Sequence, residues 1–336
     1  MEQTLPANPE SLMNCPLAFV NAKLRGRKRR LFEGESLEEL KRMKSVEELW
    51  ERFYPRRVPG RRLGLERQLR QDATDELVSF TRYLSPPLAR FYFSMLSRFQ
   101  IDNIHVLLRL FVGGAEVDRS QYVVNLPDSL AVPSASLLSS SDLSEFVQKL
   151  PEKLLSAAEL GVELDEKSNT TAFTEMALMK AYWDGVSAGL KNIGISHRSE
   201  CAGPLALEAA SERLLAVVRA GRHYKIDWEN LSNVLCQWNG PIPEQRSLFL
   251  SSSRLEEIFN DPSSENIASA VPSLTAEDAG DLLKMEEKLW RRTSTCANRL
   301  YRQMLGGPAI LVSYFYLRRN ELRNLFQVVE STYYGN

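Results

Sequence analysis

The sequence predicts an all-α protein, and three observations carry that reading. Apolar residues recur at helical spacing along much of the 336-residue chain, alternating β-branched runs are scarce, and one Asn-to-Gly pattern returns three times. Residues 35–54 set Leu37, Leu40, Met43, Val46, Leu49 and Trp50 among charges at close to a 3.6-residue period. Inside that stretch Ser45 and Glu48 form an S-x-x-E pattern, which predicts a second helix start. Further helices are expected over residues 143–155, 173–193, 206–220 and 276–305. Segments rich in Pro, Gly, Ser or Asn predict loops at 55–64, 125–141, 196–204, 240–243 and 260–273. Residues 121–125 are the best strand candidate.

The threefold pattern organises the chain. Its copies are Asn103-Ile104-x-x-Leu107-Leu108-x-x-Phe111-x-Gly113, Asn230-Leu231-x-x-Val234-Leu235-x-x-Trp238-x-Gly240, and Asn324-Leu325-x-x-Val328-Val329 followed by Tyr333, Tyr334 and Gly335. Apolar residues after each Asn share one helix face, and the Gly stands where a helix stops on a left-handed residue. Spacings of 127 and 94 residues are too long for a solenoid of short repeats. They suit three helical domains, at residues 1–112, 113–240 and 241–336, each ending near its Asn-to-Gly helix. Asn is a mediocre helix former, so Asn103, Asn230 and Asn324 are expected to cap a helix or to bond a neighbouring turn at a domain seam.

Composition excludes several classes of function. Hydrophobic residues make up 43% and charged residues 25%, as in a folded chain. Only His105, His197 and His223, and Cys15, Cys201, Cys236 and Cys296 are present, with no C-x-x-C or H-E-x-x-H, so a local metal site has no support. Few, widely spaced cysteines fit a reducing compartment. The opening MEQTLPANPE lacks the charged-then-apolar pattern of a secretion signal. Residues 303–317 are 15 uncharged positions broken by Gly306, Gly307 and Pro308, short of the roughly 20 that span a bilayer. No P-loop, G-x-S-x-G or Ser/His/Asp grouping is readable, so no catalytic residue, cofactor or small-molecule ligand is expected. His105 lies off the apolar stripe of its helix and reads as a solvated or domain-edge residue.

Charge is distributed unevenly. The total is -1, yet residues 1–112 carry +6, residues 113–240 carry -6 and residues 241–336 carry -1. Lys23, Arg25, Arg27, Lys28, Arg29 and Arg30 form one basic run; Arg56, Arg57, Arg61, Arg62, Arg67 and Arg70 follow. Solvated helix faces paired with the acidic middle are the plainer account. The functional account is a guide toward an acidic partner surface or anionic headgroups. Nucleic acid is not expected, because aromatic residues do not interleave with the basic ones.

Three stretches resemble the C-type subunit of the archaeal and bacterial V/A-type rotary ATPases, whose eukaryotic counterpart is the d-type subunit of the V-ATPase. They are residues 16–51 (PLAFVNAKLRGRKRRLFEGESLEELKRMKSVEELWE), 101–109 (IDNIHVLLR) and 314–335 (YFYLRRNELRNLFQVVESTYYG). Two positions depart from a repeated basic residue: Glu330 and Cys236 stand where the first copy has Arg109. The resemblance implies a funnel of three similar all-α domains in pseudo-threefold arrangement, peripheral on the cytoplasmic face of the membrane. It further implies a non-catalytic central-stalk adapter without cofactor, linking central-shaft subunits to the proteolipid ring during ATP-coupled proton or sodium transport. Torque requires a stiff body with charged contacts that fix register, so the run from Lys23 to Arg30 is the expected partner contact on one surface. A soluble helical scaffold unrelated to rotary ATPases is the alternative.

Overall fold

The computed structural model describes residues 16–114, 122–168, 170–224, 226–242 and 249–335. Among them are sixteen α-helices and no strand. The first segment holds α1 (Pro16–Lys28), α2 (Glu35–Lys41), α3 (Val46–Phe53), α4 (Arg62–Ser79) and α5 (Pro86–Gly113). The second holds α6 (Ser134–Leu138), α7 (Leu143–Gln148), α8 (Glu152–Ser168), α9 (Ala172–Lys191), α10 (Ile195–His223) and α11 (Trp228–Val234). The third holds α12 (Ser252–Asn260), α13 (Ser264–Ala270), α14 (Ala276–Gly280), α15 (Leu282–Gln303) and α16 (Pro308–Tyr334).

Local chemistry sets most boundaries. Ser45 Oγ accepts from the Glu48 amide, and the Glu48 carboxylate takes the Lys44 amide, so α3 starts where the S-x-x-E pattern predicts. The long helices α5 and α16 open on proline and close on left-handed glycines, Gly114 (φ 59°) and Gly335 (φ 73°). A glycine there meets no Cβ penalty.

Elsewhere the chain departs from the pattern. The helix expected over 143–155 is two helices, because Pro151 has no N–H to continue the first. The helix expected over 276–305 breaks at Asp281, whose carboxylate accepts from the Leu283 and Lys284 amides and restarts the chain as α15. The loop expected at 196–204 is helical: α10 runs through Pro204, and the buried Cys201, Leu205 and Ala209 anchor that turn in the core. The loop expected at 260–273 contains α13. Around Asn230 the helix stops at Val234 instead of Gly240, since the chain straightens at Leu235 to bury Leu235 and Cys236. Of the strand candidate, Gln121 lies outside the described residues, and residues 122–125 pair with no strand. Side chains satisfy this backbone instead. Asn103 exchanges two hydrogen bonds with Val124 (2.8 and 3.0 Å) and Gln71 two with Asn125 (2.7 and 3.1 Å).

Packing closes the chain on itself. Each segment contributes a shorter helix that leads by a turn into a longer one: α4 into α5, α9 into α10, and α15 into α16. The shorter helix then packs on the long helix of the preceding pair: α9 on α5, α15 on α10, and α4 on α16. The third contact brings the end of the chain back to its beginning. Most of α5 and the N-terminal half of α16, together with Cys201, Leu205 and Ala209 of α10, share the largest apolar core. A second core joins α10 to α12–α15, and a third joins the far half of α16 to α2–α4.

One carboxyl marks a close helix junction. Gly161 of α8 lies against the start of α9, where a Cβ would stand 2.5 Å from Thr174 Cα. One turn on, buried Asp165 accepts from the Phe173 and Thr174 amides at 2.9 and 2.8 Å, capping α9 from outside. Burial pushes the Asp165 carboxyl up to about 6, against the pull of those bonds. A carboxyl raised on folding holds its proton more tightly in the folded chain. Its stabilisation is complete below the ordinary Asp range and is lost as pH rises through about 6. Asp165→Asn is therefore expected to remove up to ~3 kcal/mol of pH-dependent stability between about pH 4 and pH 7. Urea-unfolding midpoints across that range test this, and an unchanged slope in the variant would place the dependence elsewhere.

Candidate functional site

Beyond the shared core the C-terminal halves of α5, α10 and α16 part and leave a cavity of about 760 Å³. Phe99, Met176, Leu215, Leu289 and Phe326 give its walls an apolar background. Where the helices diverge, five charges from three helices meet. Arg98 and Asp102 lie one turn apart on α5, Glu208 and Glu212 one turn apart on α10, and Arg319 comes from α16. The i,i+4 spacing puts each pair on one helix face.

Four of the five have more than one partner, and Asp102 has Arg98. Arg98 holds Asp102 at 3.0 Å, pairs closely with Glu212 and lies 3.6 Å from Glu208. Arg319 donates to Glu208 at 2.8 Å while stacking over Trp290, Phe315 and Tyr316 at 5.0, 5.3 and 5.8 Å. Tyr316 donates its hydroxyl to Glu208 (2.7 Å), and Trp183 its indole N–H to Glu212 (2.6 Å). Burial disfavours the Arg98 charge, but Glu212, Asp102 and Glu208 outweigh it and hold the guanidinium protonated. Burial, joined by the neighbouring Glu208 charge, pushes the Glu212 carboxyl up against the pull of Arg98. His105 lines the cavity instead of solvent. Its Nε2 is enclosed without a hydrogen-bond partner, and burial holds its pKa below the ordinary histidine value.

At the rim, one ion pair crosses each seam between neighbouring helix pairs. Arg109 of α5 grips Glu175 of α9 through two bonds of 2.8 and 2.6 Å. Arg219 of α10 meets Glu286 of α15 at 3.3 Å. At the third seam the polarity reverses: Glu330 of α16 meets Arg62 of α4 at 3.5 Å. Glu330 thus keeps the seam contact with its sign inverted. The position matching Arg109 on the second long helix is Arg219; Cys236 lies beyond it, buried among apolar residues.

The residues singled out from sequence lie elsewhere. Lys23 sits over the Phe80 and Tyr83 rings, Arg25 donates to the Met304 and Leu305 carbonyls, Arg27 lies 3.9 Å from Glu76, and Lys28 pairs with Glu33. Arg29 and Arg30 are exposed. The three asparagines occupy three environments. Asn103 is buried against Val124, Asn230 bonds Asp227 in the first turn of α11, and Asn324 is half-buried on α16. None of these nine residues lines the cavity. Sequence reading missed Arg98, Glu208, Glu212 and Arg319. Their signal was acids and bases recurring at i,i+4 inside otherwise apolar helix faces.

A deep polar pocket with shifted titrating groups is what an assembled active site requires, but here the floor charges are committed to one another. Among the described residues no cluster of His, Cys, Asp or Glu is able to hold a metal ion. The arrangement is suited to locking helices and receiving a shaped partner. Arg98→Met leaves buried carboxylates unpaired and is expected to cost ~3–5 kcal/mol. Arg291→Ala, which removes an exposed pair with Glu287, is expected to cost less than about 1 kcal/mol. Thermal unfolding of both variants checks the contrast, and equal shifts would argue against a structural floor.

The family model described as ATP synthase (C/AC39) subunit matches residues 20–336. No curated protein matches the sequence. The match spans both helix-rich ends and all three long helices, so the chain belongs to the ATP synthase (C/AC39) subunit family and is a subunit of a V/A-type rotary ATPase.

Proposed function

We propose that this protein is the non-catalytic central-stalk adapter of its complex, seating the end of the central shaft in the cavity and resting on the cytoplasmic loops of the membrane proteolipid ring. The observation that carries this reading is the closed helix ring around a cavity, with a second, chemically different surface at the opposite end. The walls combine apolar area with fixed charges, which resists both withdrawal and slippage of an inserted helical end. Locked charge pairs on the floor keep the long helices stiff, as torque transfer requires.

The opposite end gathers the turns before α5, α10 and α16. There α1 lies between the last and the first of these turns: Arg25 binds the Met304 and Leu305 carbonyls before α16, and Phe19 packs at 5.1 Å on Tyr83 before α5. Leu305 and Ile195 project from the turns before α16 and α10, 93% and 81% exposed, and the Leu305 carbonyl accepts from Arg25 of the basic run. A surface mixing exposed apolar and basic groups suits the short loops between membrane helices. No helix among the described residues is long and apolar enough to cross a membrane, so membrane attachment in this reading comes through the ring.

Co-purification from membranes tests the assignment. The tagged protein is expected to bring down shaft subunits and proteolipid together, whereas recovery of other subunits of the complex without these two would overturn the stalk-adapter role. Because Arg25 and Arg27 engage the chain's own atoms, the ring contact is better tested with Arg29→Glu, Arg30→Glu and Leu305→Asp combined. This variant is expected to lose about tenfold or more of its proteolipid recovery while still capturing the shaft. Unchanged ring recovery would exclude that surface.

A further inference from the structure

The three seams of the helix ring are alike in packing, yet the loops feeding them differ in charge. A partner entering a ring of three similar sectors has three rotational registers, and these differ in energy only where the sectors differ. The largest difference is at the start of α4. Residues 54–61 carry Arg56, Arg57 and Arg61, all exposed, with Arg52 one turn before on α3. Among the described residues none of these four pairs with a carboxylate. By contrast, α9 starts from Thr170 and Thr171, and α15 from the acidic Glu277, Asp278 and Asp281.

The basic loop is built rather than loose. Pro55 and Pro59 fix two backbone angles. The Arg57 amide closes a turn on the Tyr54 carbonyl at 2.9 Å. Gly60 rests on the indole of Trp50, where a Cβ would stand 3.0 Å away. The Arg57 guanidinium lies 5.2 Å above the Tyr54 ring and that of Arg52 5.9 Å above Phe32. Val58 at the tip is 89% exposed, so the loop projects into solvent. It stands at the cavity mouth. Arg62, the first residue of α4, makes the rim pair with Glu330, and Arg70, two turns further, reaches the cavity wall over Phe326.

Resting on the adapter reading above, we propose that this arginine loop is an index: it engages an acidic flank of the shaft outside the cavity and selects one of three rotational registers. An on-axis plug transmits torque with little leverage, because its wall contacts lie close to the axis. A charged contact displaced from the axis acts with a lever arm, and the unlike loops at the other two seams give it no competing site. Electrostatic attraction of exposed groups also supplies orientation during assembly more than it supplies affinity.

The test compares wild type with Arg56→Glu, Arg57→Glu and Arg61→Glu combined, in the assembled ATPase and in binding to the cognate shaft subunit. Wild type is expected to bind with an affinity that falls with ionic strength and to show one shaft register in cryo-electron microscopy. The variant is expected to bind about tenfold more weakly at low salt, to lose most of that salt dependence and to populate more than one register. Equal affinity, salt dependence and register in the two proteins would overturn the inference while leaving shaft capture intact. Failure of the wild type to bind the shaft at all would instead overturn the adapter reading on which it rests. A third arm uses phosphatidylserine vesicles: binding of wild type but not of the variant there, with unchanged shaft binding, would assign the loop to lipid and overturn its role as an index.

Discussion

The structure depends on one constraint: charges taken from water must find partners. Arg98, Asp102, Glu208, Glu212 and Arg319 lie on three helices that are far apart in sequence, and Glu208, which Arg98 and Arg319 approach from two sides, is satisfied only when all three are in register. A one-turn slip of α16 would carry Arg319 about 5.4 Å from Glu208 and strand both. Apolar packing in the neighbouring core tolerates sliding far better than a fixed set of ion pairs does. Hydrophobic burial brings the long helices together, and the charge node fixes where along their length they meet.

From that node the two ends of the molecule take different characters. On one side the helices converge into a core of Phe91, Tyr92, Phe315 and Ala309, closed by short turns and overlain by α1. On the other they separate around the committed charges, and the walls between them keep apolar residues such as Met176, Leu215 and Phe326 facing the cavity. A cavity opposite a compact end gives two surfaces on one rigid body. Family membership in the rotary ATPases supplies the setting in which such a body has a use.

Much of the local structure was legible in the sequence. Ser45 and Glu48 announced the start of α3, Gly335 the end of α16, and residues 173–193 matched α9 closely, since capping and helical periodicity act over a few residues. Errors arose wherever a distant contact outbid a local preference. Pro204 sits within a helix because its neighbours are buried, and the segment after Asn230 abandons helix to bury Leu235 and Cys236. Aligning on asparagine equated Asn230 with Asn103, whereas the long helices make Arg109 and Arg219 correspond through their seam pairs.

By itself the sequence determined the helical class, most helix positions and the family, because each is written in short-range pattern. Tertiary structure alone decided that the last long helix closes on the first segment, that five scattered charges form one floor, and that the basic run of α1 and the loop before α4 lie at opposite ends. These features rest on pairings between residues more than 100 positions apart, such as Arg98 with Glu208 or Arg62 with Glu330. Such partners share no local period, and only the closed packing of the helices brings them together.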